Sequence, residues 1–208
     1  IAAEMQAFFN RYYRSNALAC GRLQIHLAGG ALLHGMHPNI VKRTLKRLRE
    51  LGVIIHIGAH IARVEERRAY LENGETIDFD FMIFTGGIMA APFVQSLPFK
   101  KNRIGQVEVD ACLRPEGIEN VFVVGDAADL KDRKGNPVSP TAQSAEQSGT
   151  TAGRNIVALL NGGEPEKVDI RLRGLAIALG GRFAIIDAGW LRIYGAPAYL
   201  GKKAIEKF

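Results

Sequence analysis

The 208-residue chain contains few cysteines and has no long hydrophobic run. Its two cysteines, Cys20 and Cys112, form neither a Cys-x-x-Cys motif nor a disulfide framework. We interpret both as incidental thiols, with a redox thiol as the less favoured alternative. The sequence also has no signal peptide and no apolar stretch long enough to span a bilayer. We therefore expect a reduced, cytoplasmic protein that is at most peripheral to a membrane.

The net charge of +6 predicts an anionic partner. The basic residues are spread along the chain, whereas nucleic-acid binding favours one basic patch interleaved with aromatic residues. We therefore expect no nucleic-acid partner. Three lysines near the C terminus, Lys202, Lys203 and Lys207, instead favour an anionic membrane surface.

Five histidines lie between His26 and His60, and the pair His34 and His37 has a spacing that metal sites use. No carboxylate or thiolate completes a ligand set around this pair, and the local Gly-Pro context is typical of a loop. We expect no metal ligand here.

The first half of the chain alternates helical and strand patterns. Apolar spacing predicts a helix up to Tyr13 and another over Asn39–Leu51 that ends at Gly52. Short apolar runs predict strands over Leu23–Leu27, Val53–Ile57, Ile61–Glu66, Ala69–Glu72 and Phe81–Phe84, with a turn at Asn73–Gly74. This order predicts an α/β, Rossmann-like, three-layer fold that is incomplete.

The second half contains the strongest signal for a binding site. Val121–Val124 predicts a fully buried strand that ends at Gly125 and presents the carboxylate of Asp126 at the sheet edge. A helix follows, with Ser139 as N-cap, Pro140 at the first helical position and free N–H groups at 141–143. An acid beside a helix N terminus suits a ligand with hydroxyl groups and delocalised negative charge.

Two glutamines, Gln143 and Gln147, lie on one face of this helix because they are four residues apart. They are either solvated surface residues or amide partners for carbonyl oxygens of a ligand. Asp126 has a comparable alternative, as a residue that caps a helix or ties a loop.

The C-terminal region predicts a hairpin and an amphipathic segment. Residues 175–179 and 183–186 form the hairpin around Gly180–Gly181, and apolar residues then recur on one face of Trp190–Phe208. Basic side chains occupy the other face, which is typical of a helix in a membrane interface. The alternative is a packed C-terminal helix or a homodimer contact, since Gly195, Pro197 and Gly201 weaken a single helix.

Several motifs resemble one family. Arg114–Asp126 resembles the second flavin motif of two-dinucleotide-binding flavoproteins, and Thr85–Gly87 resembles their connector between the nicotinamide and flavin domains. The pattern Ala-Gln-x-Ala-x-Gln-x-Gly over Ala142–Gly149 resembles the helix start of type II NADH:quinone oxidoreductases. The tail from Arg171 to Phe208 is similar to that family's membrane-docking end.

The resemblance implies roles for individual residues. The FAD-binding residues would be Gly125, Asp126, Thr141, Ala142 and Gln143, the crossover between FAD and NADH would be Thr85, Gly86 and Gly87, and the quinone-binding residues would be Gln143 and Gln147. No catalytic nucleophile and no metal is implied. Leu27 stands where many relatives have an acid that binds the NADH ribose, so either NADH or NADPH remains the candidate substrate.

The resemblance also implies three domains and an activity. Residues 1–87 would be a partial NAD(P)H-binding domain, 88–163 the C-terminal part of an FAD-binding domain, and 164–208 a hairpin and membrane-docking segment. The implied enzyme is a non-proton-pumping NADH dehydrogenase that passes electrons from NAD(P)H through FAD to a quinone, on the cytoplasmic side of the cell membrane. Because the family's first Gly-rich motifs are missing, we expect a C-terminal fragment that is inactive alone.

Three alternatives remain. A soluble FAD-dependent disulfide or ferredoxin reductase predicts a reactive cysteine pair or a dimerisation domain. A sulfide:quinone reductase is a close variant, which the cysteine placement disfavours. A non-catalytic domain that binds anions or tethers a membrane would lack flavin.

Overall fold

A computed structural model describes residues 1–16 and 23–205. The chain forms two compact units, which we call the first unit (Ile1–Ile83 with Gly174–Phe208) and the second unit (Phe84–Arg173). The division by role into 1–87, 88–163 and 164–208 stays a prediction. Cys20, Lys207 and Phe208 lie outside the described residues.

Five helices and ten strands are present in the described residues. The helices are α1 (Ala2–Asn16), α2 (Pro38–Leu51), α3 (Pro92–Ser96), α4 (Ala142–Leu160) and α5 (Ala196–Ile205). The strands are β1 (His26–Gly29), β2 (Ile54–Ile57), β3 (Ile61–Val64), β4 (Arg68–Leu71), β5 (Thr76–Asp78), β6 (Val107–Glu108), β7 (Ala128–Asp129), β8 (Leu175–Ala178), β9 (Ala184–Asp187) and β10 (Arg192–Gly195). A 3₁₀ turn covers Gly125–Ala127.

Helix α2 confirms the predicted helix and packs on a parallel strand pair. His37 caps it by accepting a hydrogen bond from the backbone N–H of Asn39, and Gly52 ends it with φ of +93°. Ile40 and Leu48 form the buried side of the helix, in a core shared with half-buried residues of β1 and β2. His37 therefore has a capping role in the first unit.

The strands predicted over Ile61–Glu66 and Ala69–Glu72 are confirmed as β3 and β4. They form an antiparallel sheet with β5, and Asn73–Gly74 forms the turn between β4 and β5. Two strand predictions need correction. The first strand is His26–Gly29 rather than Leu23–Leu27. Phe81–Phe84 is not a strand: Phe81 and Phe84 are 76% and 77% exposed, and no described strand pairs with them. An apolar run becomes a buried strand only when a neighbour supplies backbone partners and a covering layer.

The predicted hairpin is confirmed as β8 and β9, whose tip at Gly180 is held by two side chains. Arg47 donates to the carbonyls of Leu179 and Gly180 at 3.2 and 3.0 Å, and the Gly180 N–H donates to Glu4 at 2.9 Å. The segment after the hairpin is not one amphipathic helix, because it continues as β10, paired with β9, before α5 begins. Gly195, with φ of +81°, ends the strand.

The second unit is organised around α4, which confirms that a helix follows the Asp126 turn and which extends to Leu160. Its core contains Leu113, Ala128, Leu130, Ala152 and Ile170. Asn155 on α4 is fully buried and joins two loops, at Cys112 and Glu166. Among the helices of 1–16 and 23–205, none is long and apolar enough to cross a membrane.

Candidate functional site

The segment 121–124 leads into the turn that carries Asp126. It was predicted to be a fully buried strand, and that prediction is wrong: its residues are half-buried and outside any assigned strand. Val124 is extended, and the Val123 N–H donates to the carbonyl of Leu113 at 2.9 Å. Phe122, Val123 and Val124 pack against the core around Leu113 and are only partly buried there.

Gly125 fixes the turn against α4. Its φ is +59°, and its N–H donates to the buried Ser148 hydroxyl at 3.0 Å. A Cβ at this position would lie 3.3 Å from the Cβ of Ala145, so the close approach favours glycine. The turn therefore lies against the first two turns of α4, as the sequence predicted for Asp126 and this helix.

Asp126 combines a restrained backbone with an exposed side chain. Its carbonyl accepts a hydrogen bond from the amide of Gln106 at 3.0 Å, and Gln106 is only 6% exposed. The Asp126 residue itself is exposed. The carboxylate is thus presented to solvent from a backbone that two buried side chains, Gln106 and Ser148, hold in place.

Helix α4 begins two residues later than predicted. Thr141 is the N-cap, with a capping box in which Thr141 Oγ1 accepts from the Ser144 N–H at 3.2 Å. The Thr141 N–H donates to Ser144 Oγ at 2.9 Å and is therefore not free. The prediction of Ser139 as cap and Pro140 as first residue is wrong, because the reciprocal Thr–Ser pair satisfies two backbone groups at once.

Gln143 and Gln147 share one face of α4, as predicted, and both form hydrogen bonds with the irregular segment 171–173. The Gln147 amide donates to the Arg171 carbonyl at 3.1 Å and accepts from the Arg171 N–H at 2.9 Å. Gln143 Oε1 accepts from the Arg173 N–H at 2.8 Å. We call this arrangement the glutamine clamp. In this clamp both side chains form hydrogen bonds with backbone groups. A backbone carbonyl accepts a hydrogen bond from a side-chain amide in the same way as the carbonyl of a ligand would.

The connector Thr85–Gly87 lies in an exposed, irregular part of the second unit, where Gly87 has φ of +120°. Leu27 is half-buried in the core of the first unit. Cys112 is half-buried with its Sγ 3.7 Å from the Pro165 carbonyl. The role of Thr85, Gly86 and Gly87 stays a prediction.

Three residues of the site were not predicted from the sequence: Gln106, Ser144 and Ser148. All three are buried polar residues, at 6%, 0% and 0% exposure. The hydroxyls were detectable in principle, because Ser144 and Ser148 are four residues apart on the face of α4 that contacts the turn. Gln106 gives no local signal, since its partner is 20 residues away in sequence.

Comparisons with known proteins agree with this architecture. A model of the pyridine nucleotide-disulphide oxidoreductase family matches residues 1–149. A probable NADH dehydrogenase of Dictyostelium discoideum is 26% identical over 175 residues, which is 83% of this chain and 38% of that protein. A type II NADH:quinone oxidoreductase of Haemophilus influenzae is 28% identical over 142 residues, 68% of this chain and 32% of that protein.

Solved structures show the same fold. NDH2 from Plasmodium falciparum superposes with a TM-score of 0.84 at 13% identity, covering 99% of this chain and 58% of that chain. The sulfide:quinone oxidoreductase from Aquifex aeolicus gives 0.72 at 16% identity, with 98% and 52% covered. The predicted incomplete Rossmann-like fold is therefore confirmed.

The chain spans between 32% and 38% of the length of the two curated relatives described above. The resemblance to type II NADH:quinone oxidoreductases, first drawn from the motifs at Arg114–Asp126 and Ala142–Gly149, is confirmed by these relatives. With 149 of its 208 residues matched by the family model, the chain belongs to the pyridine nucleotide-disulphide oxidoreductase family.

Proposed function

We propose that this protein is an FAD-dependent oxidoreductase of the non-proton-pumping type, which passes electrons from NADH or NADPH to a quinone. The observation that carries the proposal is the exposed Asp126 carboxylate on a turn packed against the N-terminal end of α4. Two of the relatives are named as a probable NADH dehydrogenase and a type II NADH:quinone oxidoreductase, which supports the donor and the acceptor.

The residues around the turn fit a flavin dinucleotide. Gly125 leaves room beside Ala145 that a Cβ would fill, and Asp126 offers a carboxylate that can accept hydrogen bonds from ribityl hydroxyls. The start of α4, at Ala142 and Gln143, supplies the positive end of the helix dipole for the charged edge of the ring, with Thr141 as its cap. FAD, when bound, would accept a hydride and release two electrons to the quinone.

The quinone site, in this proposal, is bordered by Gln143 and Gln147. Both amides lie at the N-terminal end of α4, on the face that holds residues 171–173. The glutamine clamp keeps residues 171–173 beside the start of α4. Each glutamine would therefore position this backbone segment as part of the wall of the quinone site. Thr85, Gly86 and Gly87 would carry the chain between the nicotinamide and flavin regions.

We further propose that the protein binds peripherally to the cytoplasmic face of a membrane through its C-terminal segment. Trp190 is 87% exposed, and Leu200 and Ile205 on α5 are 67% and 63% exposed. Lys203 lies on the same helix, with its ammonium 5.3 Å from the centre of the Tyr199 ring. Exposed apolar side chains beside lysines suit an anionic lipid surface, and a homodimer contact is the other use of the same surface.

The activity experiment uses the full-length gene product, because the 208-residue chain spans only 32% to 38% of the two curated relatives. The purified protein should be yellow, NADH or NADPH should bleach the colour, and a soluble quinone should restore it. When anionic vesicles are added to the 208-residue chain, the emission of Trp190, its single tryptophan, should shift to shorter wavelength.

The activity measurement and the vesicle measurement can each contradict a different part of the proposal. A colourless protein, or a flavin that neither nucleotide reduces, would exclude the proposed activity. Reduction by sulfide in place of the nucleotides would identify the sulfide:quinone alternative. A Trp190 spectrum that anionic vesicles leave unchanged would remove the membrane proposal while the activity stands.

A further inference from the structure

Three polar side chains of the first unit form a hydrogen-bonded chain that the activity above does not use. His26 Nδ1 lies 3.1 Å from His56 Nε2, and His56 Nδ1 lies 3.1 Å from Glu75 Oε2. Ala28 on β1 pairs with His56 on β2, and side chains two residues apart share a face of a strand. The parallel sheet therefore places His26 and His56 on one face. Glu75 lies in the turn between β4 and β5.

The hydrogen bonds determine which nitrogen atoms can act as ligands. A carboxylate only accepts hydrogen bonds, so His56 carries its proton on Nδ1, towards Glu75, and keeps the lone pair on Nε2. The neutral His26 imidazole carries a single proton, which lies on Nδ1 when this atom donates to His56 Nε2. Moving its proton from Nδ1 to Nε2 then exposes a second lone pair beside the first.

We propose that His26 Nδ1 and His56 Nε2 bind a Zn²⁺ ion, with Glu75 orienting the His56 ring from behind. Two nitrogen atoms at about 2.0–2.1 Å from one tetrahedral Zn²⁺ are about 3.3 Å apart, close to the spacing here. The two rings are 9° from parallel, with centroids 5.3 Å apart, and rotation of each ring would aim both lone pairs at one ion. A carboxylate on the far nitrogen of a ligating histidine is a recurrent support of such sites.

The site would have only two protein ligands. Within the residues described, no group of three His, Cys, Asp or Glu side chains is placed to hold an ion, so water would occupy the other positions. His26 is exposed, which leaves the ion an open path from solvent. The expected site is therefore reversible. Because the ion would bridge β1 and β2, its binding stabilises the folded first unit.

Calorimetric titration of the 208-residue chain with zinc chloride tests the proposal. We expect one ion per chain. His26→Gln and His56→Gln should each weaken binding at least tenfold, and Glu75→Gln about tenfold through loss of the supporting carboxylate. Affinity should fall as the pH is lowered, because protons compete for the same two nitrogen atoms.

His34→Gln is the matched control, since His34 lies in the turn before α2 and outside this chain of hydrogen bonds. Circular dichroism checks that each variant is folded, and amide shifts in NMR locate the ion independently of affinity. Binding that survives in the His26→Gln, His56→Gln double variant would overturn the proposal. So would loss of binding in His34→Gln, or no zinc binding by the unmodified chain.

Discussion

Replacing Asn155 with leucine is expected to lower the free energy of unfolding of the second unit by about 3–5 kcal/mol. Asn155 is fully buried, and its amide donates to the carbonyls of Cys112 and Glu166 at 3.2 and 3.0 Å. Its Oδ1 accepts from the Glu166 N–H at 2.8 Å. Leucine has a similar volume but no polar atom, so three backbone groups would lose their partner. Urea denaturation followed by circular dichroism measures the change.

Asn161→Ala, at the C-cap of the same helix, is the matched control for this substitution. The Asn161 side chain is exposed and donates one hydrogen bond, to the Val157 carbonyl at 2.9 Å. We expect this variant to cost at most about 1 kcal/mol. Equal losses in the two variants would show that the buried amide at Asn155 is not what joins α4 to its loops.

Replacing Gly125 with alanine is expected to weaken FAD binding at least tenfold. The left-handed backbone, with φ of +59°, would strain an alanine by about 1–2 kcal/mol. The new methyl group would also crowd Ala145 and displace the turn that presents Asp126. Unfolding measures the strain, and a titration followed by flavin fluorescence measures the affinity.

Gly135→Ala separates these two effects. Gly135 has φ of +82°, so its alanine variant carries a comparable strain, but no atom lies within 4 Å of its Cβ position. Both variants should lose similar stability, and only Gly125→Ala should lose FAD. If Gly135→Ala weakened FAD binding equally, the effect at Gly125 would reflect general destabilisation rather than a flavin site.

Elements with local signals were predicted well. Helix α2 has an apolar face, a proline at its start and a glycine at its end. These features locate both ends of the helix to within one residue. The Asn73–Gly74 turn and the Gly180–Gly181 hairpin follow from glycine and asparagine chemistry in the same way. Each of these signals lies within a few residues of the structure that it specifies.

Elements that depend on distant partners were predicted poorly. Phe81–Phe84 and Val121–Val124 are as apolar as buried strands, but a strand needs a neighbour, and apolar content cannot say whether one is present. At the site, the sequence predicted that Asp126 lies beside the start of α4. It did not show that Ser148 and Gln106 hold the turn, because both bonds join residues at least 20 positions apart.

A titration of the isotopically labelled 208-residue chain with FAD, followed by amide shifts in NMR, tests the central claim most directly. It detects weak binding and reports where the flavin lies. The account predicts the largest shifts at Gly125–Ala127 and at the start of α4. These shifts should be lost in Asp126→Ala but not in Asp132→Ala, which changes a half-buried aspartate in a different turn. Shifts confined to other residues, or equal shifts in the two variants, would contradict it.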